Sequence, residues 1–279
     1  MKLIDFDGLF DEKLTQYMEE NKGKHTEKEW ENIIPKLYKK FGDTFVGKLK
    51  CTPKEYYARM SDAELVETLS QHLLQDVPVP EFLCTELESR DAVEALLPLL
   101  EKEDAQTVSY AINLLGDDVR AFEAYFSILK EGRMDEDIRS DLADIFRLHA
   151  DEVKELAYKT YQEGVAKEYM LEILSRVKEK EDKVYETLME AFMTADETQS
   201  PMRASYLAAY GDERALPVLY RRIEDRSIGF VEFQELKYAI EALGGEYDEP
   251  RDFTADKDYL AIEAATSKQV SGDGNGTKS

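Results

Sequence analysis

Residues Asp104 to Gly116 read DAQTVSYAINLLG, a short amphipathic helix with Ala111, Ile112 and Leu115 on one edge and a glycine at its end. The same edge returns at offsets of 31, 62, 95 and 128 residues, as Leu142/Ala143/Phe146, Ile173/Leu174/Val177, Tyr206/Leu207/Tyr210 and Ala239/Ile240/Leu243. None of these fifteen slots is charged, although charged residues make up 34% of the chain. A helical face repeated at this interval predicts an all-α fold. Its form is an α-α superhelix, or solenoid, of about five helical hairpins in which each hairpin hides its apolar stripe against the next.

Working outward, each unit is expected to be two antiparallel helices: 90–101 with 104–115, 118–131 with 135–147, 150–163 with 166–178, 181–195 with 200–210, and 213–224 with 230–243. Gly116, Gly132, Gly164, Gly211 and Gly244 fall at helix C-termini, where a left-handed residue is wanted. Ser200-Pro201 predicts an N-cap followed by proline at the first helical position. The array occupies residues 89–245. Before it, residues 1–88 form an irregular helical cap. Thr26 with Glu29 and Ser61 with Glu64 make capping boxes there, and Pro35 is expected to kink or break the helix that carries Trp30, Ile33, Ile34, Leu37, Tyr38 and Phe41. The DVPVP run at 76–80 closes this region, since a helix does not survive two prolines in three residues. A C-terminal extension, 246–279, holds one short helix near 256–266 and a tail, SGDGNGTKS, of flexible composition. The tail's Asp273 to Gly276 imitates the start of a calcium loop but lacks the closing glutamate.

Ser200 to Leu219, SPMRASYLAAYGDERALPVL, resembles a HEAT-like repeat of the phycobilisome-lyase type. Met202-Arg203 stands in the family's Val-Arg place, and Gly211 through Leu219 follows its Gly-Asp-Pro-Arg-Ala-Val-Pro-Ala-Leu pattern, with Glu213 where the proline would be. Arg90-Asp91-Ala92-Val93 through Leu100 is a looser version of the first helix, and the second and third units lack the Gly-Asp turn. The resemblance implies a HEAT-like superhelix that holds other macromolecules.

A formal charge of −24 repels phosphate backbones and anionic bilayers, so neither nucleic acid nor membrane is an expected partner, and a basic protein or peptide is. No run of 18 apolar residues and no secretory leader is visible, and Cys51 and Cys84 read as free thiols, which together point to the cytoplasm. His25, His72 and His149 form no metal-ligand spacing and read as surface or helix-end residues. There is no Walker loop, GxGxxG or GxSxG, so no catalytic residue, cofactor or metal is assigned.

Projecting Tyr110 and Asn113 by the same offsets gives Asp141/Asp144, Glu172/Ser175, Ser205/Ala208 and Tyr238/Glu241. These positions flank the seam on the second helices, which line the concave side of such superhelices. The inner surface is thus expected to be polar to acidic. The candidate partner-binding residues are Tyr110, Asn113, Asp141, Asp144, Tyr169, Glu172, Tyr238 and Glu241, with the tyrosines as aromatic anchors. The function expected is that of a non-catalytic scaffold or adaptor. The alternative is an enzyme, lyase-like or glycosylase-like, on the same framework. One segment has the opposite sign: Lys36, Lys39, Lys40, Lys48, Lys50, Lys54 and Arg59 face only Asp43 and Glu55. It reads as a lysine-bearing helix face, or as a patch that docks on the acidic array.

Overall fold

The structure, a computed structural model, describes residues 3–272. These residues form sixteen α-helices and three 3-10 segments; among them there is no strand, only an isolated bridge between Val46 and Cys51. The chain divides into two compact units, residues 1–139 and 140–279.

The first unit begins with α1 (Phe6–Glu20), α2 (Glu27–Gly42), α3 (Pro53–Ala58), α4 (Asp62–Leu74) and α5 (Glu81–Glu88). The capping boxes Thr26/Glu29 and Ser61/Glu64 are both present, and Thr52/Glu55 adds a third at the start of α3. Helix α2 continues through Pro35. The expected break is absent: a box closes one end of the helix, and Phe41 and Gly42 at the other end are buried, so the turns on both sides are held independently of the missing N–H. An aromatic cluster fills the core here, with Phe6 edge-on to Tyr57 and Phe10 edge-on to Tyr38.

Next come α6 (Val93–Leu96), the 3-10 turn Leu97–Glu101 and α7 (Ala105–Leu115). The expected continuous helix over 90–101 tightens at Pro98, which has no N–H to offer an α-helical bond. A second 3-10 turn, Val119–Ala121, leads into α8 (Phe122–Glu131), and α9 (Glu136–Leu148) follows.

The second unit contains α10 (Ala150–Gln162), α11 (Lys167–Leu174), α12 (Asp182–Met193), α13 (Ser200–Tyr210), the 3-10 turn Glu213–Ala215, α14 (Leu216–Ile223), α15 (Phe230–Ala242) and α16 (Lys257–Gly272). Helices α11, α13 and α15 pack in succession as one layer. The first helices of the pairs face one another through ion pairs: Lys183 with Glu155 at 2.7 Å, Arg214 with Asp182 at 2.7 Å, and Lys154 with Glu181. Helix α16 answers the expected C-terminal helix and is fastened by Asp256, whose carboxylate accepts from the backbone of Asp258, Tyr259 and, at the start of α15, Phe230. The tail from residue 273 on, with its imitation calcium loop, lies outside the described residues.

All fifteen repeat slots are buried, from 0% exposure at Leu142 and Leu174 to 8% at Tyr206. The five glycines expected at helix ends all have positive φ. Gly211, at φ 75° and ψ 37°, ends α13 while its N–H still donates to the Leu207 carbonyl, a conformation that costs a side-chain-bearing residue free energy.

Arginines bind helix C-terminal carbonyls left without intrahelical partners. Arg90 donates to the carbonyls of Ala58 and Met60, Arg133 to that of Leu100, Arg203 to that of Ala191, and Arg251 to those of Ile223 and Asp225. Ser200 does not cap α13 as expected. The helix already begins at Ser200, one residue earlier than a cap there requires, and the Ser200 hydroxyl donates to the buried Glu232 at 2.6 Å, a carboxylate also held by Arg222 at 2.6 Å. Asp196 supplies the turn before α13 in its place, accepting from the backbone of Thr198 and Gln199.

Candidate functional site

On the second-helix layer of the second unit lies a groove of about 460 Å³. Its shape follows from side-chain size. The middle helix, α13, presents Ser205, Ala208 and Ala209 at helical spacing, so the floor is low. Glu172 of α11 and Arg176 just beyond it form one wall, Tyr238 of α15 forms the other, and Met202 stands at the start of α13. Tyr238 is 61% exposed and Met202 53% exposed. Large apolar groups left in water beside a small-residue floor are the features that mark a contact surface. Tyr206 is buried below, and its phenol is pushed up from the ordinary tyrosine range, by burial first and then by Glu172 and Glu168, so it stays neutral.

Two of the expected residues, Glu172 and Tyr238, therefore meet in this groove, together with the projected positions Ser205 and Ala208. Asp144 is tied to them indirectly: Arg147 bonds Asp144 and also reaches Glu172 at 2.5 Å. Ser175, though at a projected position, is buried and donates to the Glu172 carbonyl. Asp141 is exposed, Tyr169 is half-buried, and Glu241 is exposed beside Lys237 at 3.7 Å; none of the three lines the groove. Tyr110, half-buried, and Asn113, exposed, belong to α7 in the first unit.

The charges in and beside the groove are mixed. Arg147 satisfies both Asp144 and Glu172, and Arg176, which has no polar partner among the described residues, puts a guanidinium on the wall. The projection followed two columns of the repeat and so passed over Arg147 and Arg176. Their spacing from the acids, three residues from Asp144 and four from Glu172, is the signal that could have found them. Arg203, placed by the resemblance in the Val-Arg position, lies outside the groove: it is buried and donates to Glu168 at 2.6 Å as well as to Ala191.

Of the three histidines, one differs from expectation. His149 does stand at a helix start, before α10, with Glu152 at 3.2 Å, and His25 packs edge-on against Trp30. His72 is instead fully buried in the last turn of α4, and neither ring nitrogen has a hydrogen-bond partner. Among the described residues no three His, Cys, Asp or Glu side chains converge in the manner of a metal site. The lysine-rich segment pairs locally, Lys54 with Asp43 at 2.8 Å and Arg59 with Glu55 at 4.0 Å. No helix among the described residues is long and apolar enough to cross a membrane.

No family model matches the chain, and no curated protein or solved structure matches it at a significant level.

Proposed function

We propose that the chain is a HEAT-like helical-repeat scaffold that binds a basic protein partner, gripping it in the groove between α11, α13 and α15. The observation that carries this reading is the groove itself: a low floor of Ser205, Ala208 and Ala209 between the exposed Tyr238 and Met202. The repeat reading is supported by two regularities. All fifteen seam slots are buried, and the polar links between neighbouring helix pairs span sequence separations of 25 to 35 residues, about one repeat each. Charge and grip are divided. The −24 field of the whole chain attracts a basic partner from a distance. The groove's own charges are balanced, so affinity there comes from an apolar side chain seated between Met202 and Tyr238, with Arg176 available to a carbonyl or carboxylate of the bound segment.

The test is affinity purification from native extract with wild type and with Met202→Ala/Tyr238→Ala. Both side chains are already largely in water, so the double variant stays folded. A basic protein captured by wild type and lost by the variant is the expected result. The reading fails if the variant retains everything the wild type retains, or if the retained partners are uniformly acidic.

A further inference from the structure

The first unit holds a cavity of its own. It is a cleft of about 1010 Å³ between α1, α2, α5 and the residues just before α5. We propose that it binds a basic segment of a partner protein, with an arginine or lysine side chain lying along its aromatic wall and ending among carboxylates. The chemistry is written in two layers.

The wall is aromatic. Tyr38 and Phe82 stack in parallel with ring centroids 4.7 Å apart, and Phe10 meets Tyr38 edge-on at 5.0 Å. Ring faces and edges in a cleft accept the methylene stem of a long cationic side chain and attract its charged head. A cleft of this volume exceeds one side chain and suits a segment of a few residues.

The rim carries six charges, and they do not cancel. Lys54 is held by Asp43 at 2.8 Å, and Glu86 by Arg90 at 2.8 Å. Asp7 accepts the Tyr38 hydroxyl at 2.6 Å, a neutral donor that leaves the carboxylate its charge and its second oxygen. Burial, and then that hydrogen bond, raise the Tyr38 phenol above the ordinary tyrosine range, so it remains a donor. The side chains of Asp11, Glu81 and Lys39 form no ion pair among the described residues, although Glu81 also meets the Tyr38 hydroxyl through its backbone. Three uncompensated carboxylates thus face one uncompensated ammonium, which selects a cation over an anion. A guanidinium offers the fork of donors that carboxylates of this kind accept.

This inference rests on the reading of the chain as a protein-binding scaffold but on none of the groove residues. The experiment titrates the full chain by calorimetry with two synthetic peptides, Ac-Leu-Arg-Phe-Arg-NH2 and Ac-Leu-Glu-Phe-Glu-NH2. Wild type should bind the basic peptide at least about tenfold more tightly than the acidic one, the ratio expected when two partly exposed ion pairs are exchanged for like-charge contacts. Asp11→Asn/Glu81→Gln, both at exposed positions, should weaken the basic peptide about fivefold. Lys39→Gln should strengthen it about twofold, a gain that misfolding does not produce. Equal affinity for the two peptides, or a basic-peptide affinity indifferent to all three substitutions, overturns the proposal. Repeated in the Met202→Ala/Tyr238→Ala background, where the groove is disabled, the titration should keep the same preference for the basic peptide and the same response to the cleft substitutions. A failed cleft therefore reads differently from a failed groove.

Discussion

Leu174 and Leu148 are the same residue type near the C-terminal ends of helices α11 and α9. One occupies a repeat slot and is 0% exposed; the other is 80% exposed. Truncating Leu174 to alanine removes a fully buried side chain and leaves a cavity in the core of the second unit. Transfer and cavity contributions together place the cost at about 2–5 kcal/mol. The same truncation at Leu148 removes almost no buried surface and should stay within about 0.5 kcal/mol of wild type. For a unit of this size each kcal/mol corresponds to roughly 3 °C, so Leu174→Ala should lower the melting temperature of the second unit by about 6–15 °C. The only tryptophan, Trp30, lies in the first unit. Its fluorescence reports that unit, while far-UV circular dichroism reports the helices of both. Under thermal or urea unfolding the Leu174→Ala dichroism transition should move to milder conditions while the Leu148→Ala curve overlays wild type. Leu174→Asp should go further and remove the helical signal of the second unit. If the two alanine variants unfold within about 0.5 kcal/mol of one another, the slot assignment at the centre of the repeat is wrong.

Other consequences follow from single buried or capped groups. His72→Leu replaces an imidazole whose two nitrogens lack partners with a hydrocarbon of similar volume, and should stabilise the first unit by about 1 kcal/mol. A loss of more than that in urea melts followed at Trp30 would mean that the ring has a polar partner after all. Asp118 is held at about 2, first by its side-chain bonds to Arg120 and then by the Arg120 backbone N–H. The unfolded carboxyl titrates near 3.9, so this group's stabilisation is complete above that pH and disappears as pH falls toward about 2. Asp118→Asn should therefore be less stable than wild type at pH 7, with the urea midpoints converging between pH 4 and pH 2; a constant gap across that window contradicts the cap.

Much of the fold was legible because helix spacing and capping are local. The period of Ala111, Ile112 and Leu115, the glycines at helix ends and the Thr26/Glu29 and Ser61/Glu64 boxes each depend on residues a few positions apart, and each is present. That Tyr238 and Glu172 share one surface was legible for the same reason, a near-constant offset between corresponding helix faces, and both line the groove. What tertiary structure alone decided is where the charges and hydroxyls find partners. Arg147 joins Asp144 to a glutamate 25 residues beyond itself, the Ser200 hydroxyl donates to Glu232, and His72 disappears into the interior. Pairings at such separations depend on how helices settle against one another. In a chain with sixty acidic residues, proximity in sequence does not distinguish the carboxylate that an arginine will reach from its neighbours. The groove has the same origin, because the small residues of α13 become a floor only when α11 and α15 rise on either side of them.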